Sequence, residues 1–196
     1  EVKTNKISPA TGTAFALGDS GDTFTVPSGA TIVNSGTATG FGGITEADQW
    51  RLTTNFTGDA DPIASNLERA DQSGWGKIGT GMAESSGIFT FPSTGIWKVE
   101  YNLASYYNGE NRYTTAVIQA TTNDSAYNDF ANSDSGWASG GSNIYGFAYC
   151  QTLIDCTDTS NVKVRFKADV EDNSTSIQGD TNTSRTYMLF TRLGDT

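Results

Sequence analysis

The 196 residues are 36% hydrophobic and 17% charged, and the balance is rich in Gly, Ser, Thr, Asn and Asp, the composition of a turn-rich all-β protein. Twelve basic against 22 acidic side chains, with no histidine, give a formal charge of −10, which argues against nucleic acid and anionic membranes as partners. No apolar run approaches the roughly 20 residues of a membrane helix, and the first residues lack the basic-then-apolar order of a signal peptide, so the chain is expected to be neither anchored nor visibly secreted.

The length suits one domain of about 150 residues plus an appendage, and the texture divides the chain into residues 1–45 and 46–196. In the first part Thr13–Leu17, Thr23–Val26 and Ala30–Val33 are short strand-like runs separated by Gly18-Asp19-Ser20-Gly21-Asp22 and Pro27-Ser28-Gly29. With few large apolar side chains (Phe15, Leu17, Phe24, Val26, Ile32), this part needs neighbours to offset the entropy of ordering its backbone. The wording TNKISPATGTAFALGDSGDTFTVPSGATIVNSGTATGFG resembles the N-terminal parts of fibre and appendage proteins of tailed bacteriophages, where short strands from three chains intertwine into a β shaft. That resemblance implies a virion location, with residues 1–45 as the anchor on a capsid or tail protein. Bacterial adhesins and a flexible tail are the alternatives.

From residue 46 the pattern reads as a globular domain. Gln49–Phe56 is expected as its first strand, with Trp50, Leu52 and Thr54 opposite Arg51, Thr53 and Asn55. Phe56–Asn66 reads as loop, and Trp75–Met82 as a short edge strand weakened by Gly74, Gly76, Gly79 and Gly81.

Two apolar runs then flank Pro92-Ser93-Thr94-Gly95, a hairpin signal. Beyond the turn Trp97, Val99, Tyr101 and Leu103 share one parity, and Lys98, Glu100 and Asn102 the other. The spacing Gly87-x-Phe89-x-Phe91-Pro92-x-x-Gly95-x-Trp97-x-Val99-x-Tyr101 resembles the jelly roll shared by complement's globular heads and tumour necrosis factor. Those domains are trimers, so the resemblance implies an antiparallel two-sheet jelly-roll head in a homotrimer. The expected head core is Phe89, Phe91, Trp97, Val99, Tyr101, Leu103, Val164 and Phe166. Truncating Trp97 to alanine is expected to cost roughly 3 to 5 kcal/mol.

Tyr113–Thr121 reads as a strand, and Asn123–Gly141 as a polar loop whose isolated aromatics, Tyr127, Phe130 and Trp137, are candidate surface contacts. Trp137→Ala is accordingly expected to cost less than about 1 kcal/mol. Ile144–Thr157 reads as one extended strand in which Cys150 and Cys156 lie about 20 Å apart, too far to bridge each other and so expected as buried thiols. Val162, Val164, Phe166 and Ala168 alternate with Lys163, Arg165, Lys167 and Asp169, and Arg185–Leu193 closes the domain.

In two of these strands both parities are apolar: Tyr145, Phe147 and Tyr149 oppose Ile144, Ala148 and Cys150, and Tyr187 and Leu189 oppose Met188 and Phe190. A sandwich strand buries one face, so the second needs a cover. In the trimers that the motif resembles, neighbouring subunits supply it, and aromatic enrichment in interface cores gives the same answer. Tyr145, Phe147, Tyr149, Tyr187 and Leu189 are therefore the candidate trimer interface. A lid formed by Asn123–Gly141 is the alternative.

Without histidine there is no imidazole base or ligand, so catalysis would have to rest on carboxylates such as Asp19/Asp22, Asp59/Asp61, Asp124/Asp129 or Asp169/Glu171/Asp172. These stand in turn contexts that favour aspartate as a capping residue, and the chain is expected to be no enzyme. No cofactor is expected, with calcium as the alternative, although residues 55–61 lack the ligand order of an EF-hand loop. Sequons at Asn55, Asn123, Asn173 and Asn182 matter only in a eukaryotic secretory pathway. The leading expectation is a trimeric virion appendage, a tail fibre or capsid decoration, whose head faces a host glycan or protein. A secreted lectin-like or signalling trimer is the second.

Overall fold

The computed structural model describes residues 17–33, 43–140 and 142–196. The chain divides into two compact units, residues 1–41 and 42–196. In the first, residues 17–33 form two turns and no strand, and all are exposed. Asp22 N donates to Asp19 O at 3.0 Å and Ala30 N to Pro27 O at 3.0 Å. The expected strands Thr23–Val26 and Ala30–Val33 are not formed among the described residues. Most of Thr13–Leu17 lies outside the described residues.

The second unit is all-β, with two antiparallel sheets and no helix among its described residues. Its strands are β1 (Ala47–Leu52), β2 (Phe56–Thr57), β3 (Leu67–Arg69), β4 (Ala83–Ser85), β5 (Ile88–Thr90), β6 (Gly95–Tyr107), β7 (Asn111–Thr121), β8 (Asn128–Trp137), β9 (Ile144–Cys156), β10 (Lys163–Val170), β11 (Ser176–Ile177) and β12 (Tyr187–Gly194). The first sheet runs β9-β6-β12-β1-β3, with β11 and β2 continuing from the far end of β6. The second runs β4-β5-β10-β7-β8. Consecutive strands repeatedly change sheet, the mark of a jelly roll.

Three features correct the sequence reading. The turn at Pro92–Gly95 makes no hairpin, since β5 pairs with β4 and β10 in the second sheet and β6 pairs with β9 and β12 in the first. It is a corner between sheets, and a tight one: Gly95 has φ 135, and a Cβ there would stand 2.4 Å from Gly194 O. The hairpin lies one strand earlier, where Ser86 and Gly87, with φ 53 and 81, make the two-residue turn between β4 and β5. Asn123–Gly141 is no lid, because most of it is β8, paired along β7 through two register shifts. Trp75–Met82 also forms no strand beyond the isolated bridge of Ala47 with Ile78.

The core fills the space between the sheets. All eight expected head-core residues are buried there, together with Trp50, Leu52, Ile118, Ile154, Met188 and Phe190. Phe89 meets Trp50 edge-on at 5.4 Å and Phe166 at 5.4 Å, and Trp97 packs against Phe91 at 5.1 Å. Such pairs add about 0.5–1.5 kcal/mol each beyond burial. Trp97 Nε1 reaches Ser93 O at 3.1 Å, so its one polar atom is satisfied at the corner. Cys150 and Cys156 are free, buried thiols on the inward parity of β9, and burial pushes each up to about 11.

A candidate subunit interface on the outer sheet face

The β6–β9 ladder holds from Gly95↔Cys156 to Tyr107↔Ile144, and this unbroken register aligns the outward side chains of the first sheet into rows. Small or apolar residues (Gly146, Ala148, Cys150, Ile154) fill the inward positions of β9. Its outward positions carry Tyr145, Phe147, Tyr149 and Leu153, which are 55%, 61%, 43% and 58% exposed. Across the ladder Tyr145 faces Tyr106, their rings 5.5 Å apart, Phe147 faces Ala104, and Tyr149 faces Asn102. Next along the rows, Tyr187 pairs with Asn102 and Leu189 with Glu100. The five candidate interface residues therefore share one continuous outer face, Tyr187 and Leu189 half-buried at its centre.

A short polar network crosses this face. The Tyr149 hydroxyl donates to Glu100 Oε1, and Lys98 Nζ stands 3.0 Å from the same oxygen. Burial, and then the Glu100 carboxylate, push the Tyr149 phenol up to about 12. The sequence reading does not single out Tyr106, Lys98, Glu100 or Leu153. The signal for the first three lies in the even parity of β6, which turns outward, and that for Leu153 in the odd parity of β9.

The outer face of the second sheet has the opposite character. Lys163, Arg165 and Lys167 stand at alternate positions of β10 and pair with Asp124 (2.8 Å), Asp61 (3.0 Å) and Asp169 (2.9 Å). Arg165 Nε also donates to Gln119 Oε1 at 2.7 Å, and Gln119 Nε2 to Asp129 Oδ1 at 2.8 Å. Tyr127 lies under this network, its ring 4.3 Å from the Arg165 guanidinium carbon. Phe130 is exposed on β8, at the register shift opposite Ile118/Gln119. Trp137 is half-buried, donating from Nε1 to Gly109 O at 3.1 Å with its ring against Gly146. The three candidate contact aromatics thus occupy three different settings, and Phe130 alone of them is exposed.

The carboxylates considered for chemistry have structural duties. Asp59 accepts from Val170 N at 2.7 Å, Asp172 from Ser174 N at 2.8 Å and Asp22 from Asp19 N at 2.8 Å. Glu110, Arg112, Glu171 and Asp172 line an open polar depression of about 350 Å³. Within it the Arg112 guanidinium, hydrogen-bonded to Glu171, holds that carboxyl below its ordinary range. Among the described residues no three Cys, Asp or Glu side chains are grouped to hold a metal ion.

No family model matches the chain, and no curated protein matches it by sequence. Solved structures do match its fold. The crystal structure of murine APRIL at pH 5.0 has a TM-score of 0.55 at 9% identity, covering 76% of this chain and 98% of that one. Murine APRIL at pH 8.0 gives 0.54 at 10% identity, over 76% and 98%. Eiger TNF from S. frugiperda gives 0.50 at 13% identity, over 76% and 93%. Nothing among these matches supports the bacteriophage resemblance of residues 1–45. At such identities the likeness is one of fold, and residues 42–196 are built as a jelly roll of the tumour necrosis factor type.

Proposed function

We propose that this chain is a non-enzymatic homotrimer that acts as a recognition protein, of the secreted signalling or lectin-like kind, with three jelly-roll heads joined through the outer faces of their first sheets. One observation carries the reading: the outer face of one sheet is a network of ion pairs that water solvates well, while the other exposes Tyr145, Phe147 and Tyr149 at successive outward positions of β9, with Leu153 beyond Gln151. An exposed aromatic cluster of this kind marks an association site, and a face rich in aromatics fits an interface core. The fold neighbours suit this reading at least as well as a virion role. Light scattering on the whole chain should give three times 20.8 kDa, and Phe147→Asp should shift the mass toward one chain. A wild-type mass of 20.8 kDa at micromolar concentration overturns the proposal.

A second reading, a virion appendage anchored through residues 1–45, is favoured by residues 17–33. They expose Leu17, Phe24, Ile32 and Val33 and form no strand among the described residues, as expected of segments that complete their pairing with other copies. A labelled antibody bound to intact particles would support it, and absence from particles would remove it.

A further inference from the structure

β6 leaves the first sheet at Tyr107 and β7 enters the second at Asn111, so Asn108, Gly109 and Glu110 form a corner between the sheets. A corner has no ladder to occupy its main-chain donors. Asn108 is exposed, and among the described residues neither its side-chain amide nor the Gly109 N–H makes a hydrogen bond. The corner is held instead at the Gly109 carbonyl, which accepts from Trp137 Nε1 at 3.1 Å. The Trp137 ring in turn lies against Gly146 and so joins β8 of the second sheet to β9 of the first.

An asparagine amide carbon lies within reach of the next main-chain nitrogen through a five-membered ring, and glycine, with no Cβ, lets that nitrogen approach. The Gly109 nitrogen, its proton taken by hydroxide, attacks Asn108 Cγ; the new C–N bond forms, the C–NH2 bond breaks, and the leaving nitrogen takes a proton from water and departs as ammonia. Water then opens the cyclic imide at either carbonyl, giving aspartate or isoaspartate, the latter with one extra methylene in the main chain. The pair Asn-Gly occurs once in the 196 residues, at 108–109. Asn132-Ser133 and Asn173-Ser174 have the next smallest following residue, and the fold restrains both. Ser133 stands in the β7–β8 ladder opposite Ala116, and Ser174 N donates to Asp172 Oδ1 at 2.8 Å. We propose that Asn108 is a site of spontaneous modification by water, and that its conversion to isoaspartate loosens one side of the sandwich by displacing the Gly109 carbonyl from Trp137. The reaction needs no partner chain and holds for a monomer or a trimer.

Incubating the full chain for days at mildly alkaline pH, followed by digestion and mass spectrometry, tests the site. The peptide containing Asn108 should gain one mass unit, at a rate that rises with hydroxide concentration, and should become a substrate for isoaspartyl-specific carboxyl methylation. In the folded chain Asn132 and Asn173 should convert about tenfold or more slowly; in urea both should speed up, while Asn108 changes little. Asn108→Gln, which must close a larger ring, should slow the gain about tenfold or more. Urea midpoints then read the consequence. Asn108→Asp carries the new charge on an unaltered main chain and should match the fresh wild type, while the isoaspartyl fraction unfolds at lower urea. In Trp137→Phe, which lacks the indole N–H, ageing should leave the midpoint unchanged. If Asn108 keeps its mass in the folded chain but converts in urea, or if Asn108→Gln gains mass as fast as wild type, the site is overturned. Conversion with no change of midpoint, or with the same change in Trp137→Phe, overturns the link to Trp137.

Discussion

The ring of Trp137 lies directly against the α-carbon of Gly146: a Cβ there would stand 2.3 Å from Cζ3 of the indole and 2.9 Å from Ser135 Oγ. This contact joins β8, the last strand of the second sheet, to β9, the last of the first, and so closes one side of the sandwich. Gly146→Ala should therefore overpack a rigid ring and destabilise the head by about 1–3 kcal/mol. Trp137→Ala should cost about 2 kcal/mol, above the sequence expectation for a loop residue and below Trp97→Ala at about 3–5 kcal/mol. Urea unfolding of the three variants checks the order; a Trp137→Ala variant as stable as wild type would mean that the closure carries no energy.

The sequence of β8 reads as loop for a physical reason. Its sequence, NDFANSDSGW, has no β-branched residue, and its ladder to β7 is made by backbone groups that any side chain permits. Polar and charged residues on an outermost strand also guard it against pairing with other chains. By contrast β10 buries one parity throughout and β6 and β9 bury one over most of their length, so period-two alternation locates them to within a few residues. The corner at Pro92–Gly95 reads as a hairpin because a proline-glycine turn looks the same whether the next strand returns beside the first or crosses to the other sheet. The outward aromatics of β9 were legible, since small inward residues alternate with large outward ones. The freedom of the Asn108 amide and the Gly109 N–H was not, because which groups a corner leaves unbonded depends on the whole fold.

Asp48 gives a second prediction. It is buried on the inward parity of β1, and its two oxygens accept from Trp50 Nε1 (2.9 Å), Met82 N (2.8 Å), Gln49 N (3.0 Å) and Arg69 Nε (2.9 Å). One carboxylate thereby fastens the segment leading into β4 to the first strand. Asp48→Ala leaves two buried N–H donors and a guanidinium unpaired, and should cost about 3–5 kcal/mol. Asp48→Asn, which keeps the shape but offers one acceptor oxygen, should recover part of that. Chemical denaturation of both resolves the pair, and equal stabilities would show that packing, and not the carboxylate, holds the loop.

Removing residues 1–41 should leave the head folded. Unit 42–196 contains the aromatic core and both sheets, and the described residues 17–33 bury nothing of their own. The truncated chain should melt within about 2 °C of the full one, since surface losses away from a core stay within about 0.5 kcal/mol. A shift of 10 °C or more by differential scanning calorimetry would show that the first unit contributes to the stability of the head.

The last prediction concerns alkaline pH. Burial raises Cys150 and Cys156 from 9.0 to about 11, and burial with the Glu100 hydrogen bond raises Tyr149 from 10.0 to about 12. Tyr101, wholly buried, moves in the same direction. Each of these groups holds its proton more tightly folded than unfolded. Their stabilisation is complete below the unfolded values and is lost as pH rises through the folded ones. The urea midpoint should accordingly begin to fall near pH 9 and fall further between pH 10 and 12. Because Tyr149 is well exposed, its share is small and screened by solvent. Tyr149→Phe should leave the decline between pH 9 and 10 untouched, where the thiols act, and reduce it between pH 10 and 12. If the variant declines as steeply as wild type across that upper window, the proton on Tyr149 is not coupled to the fold through Glu100.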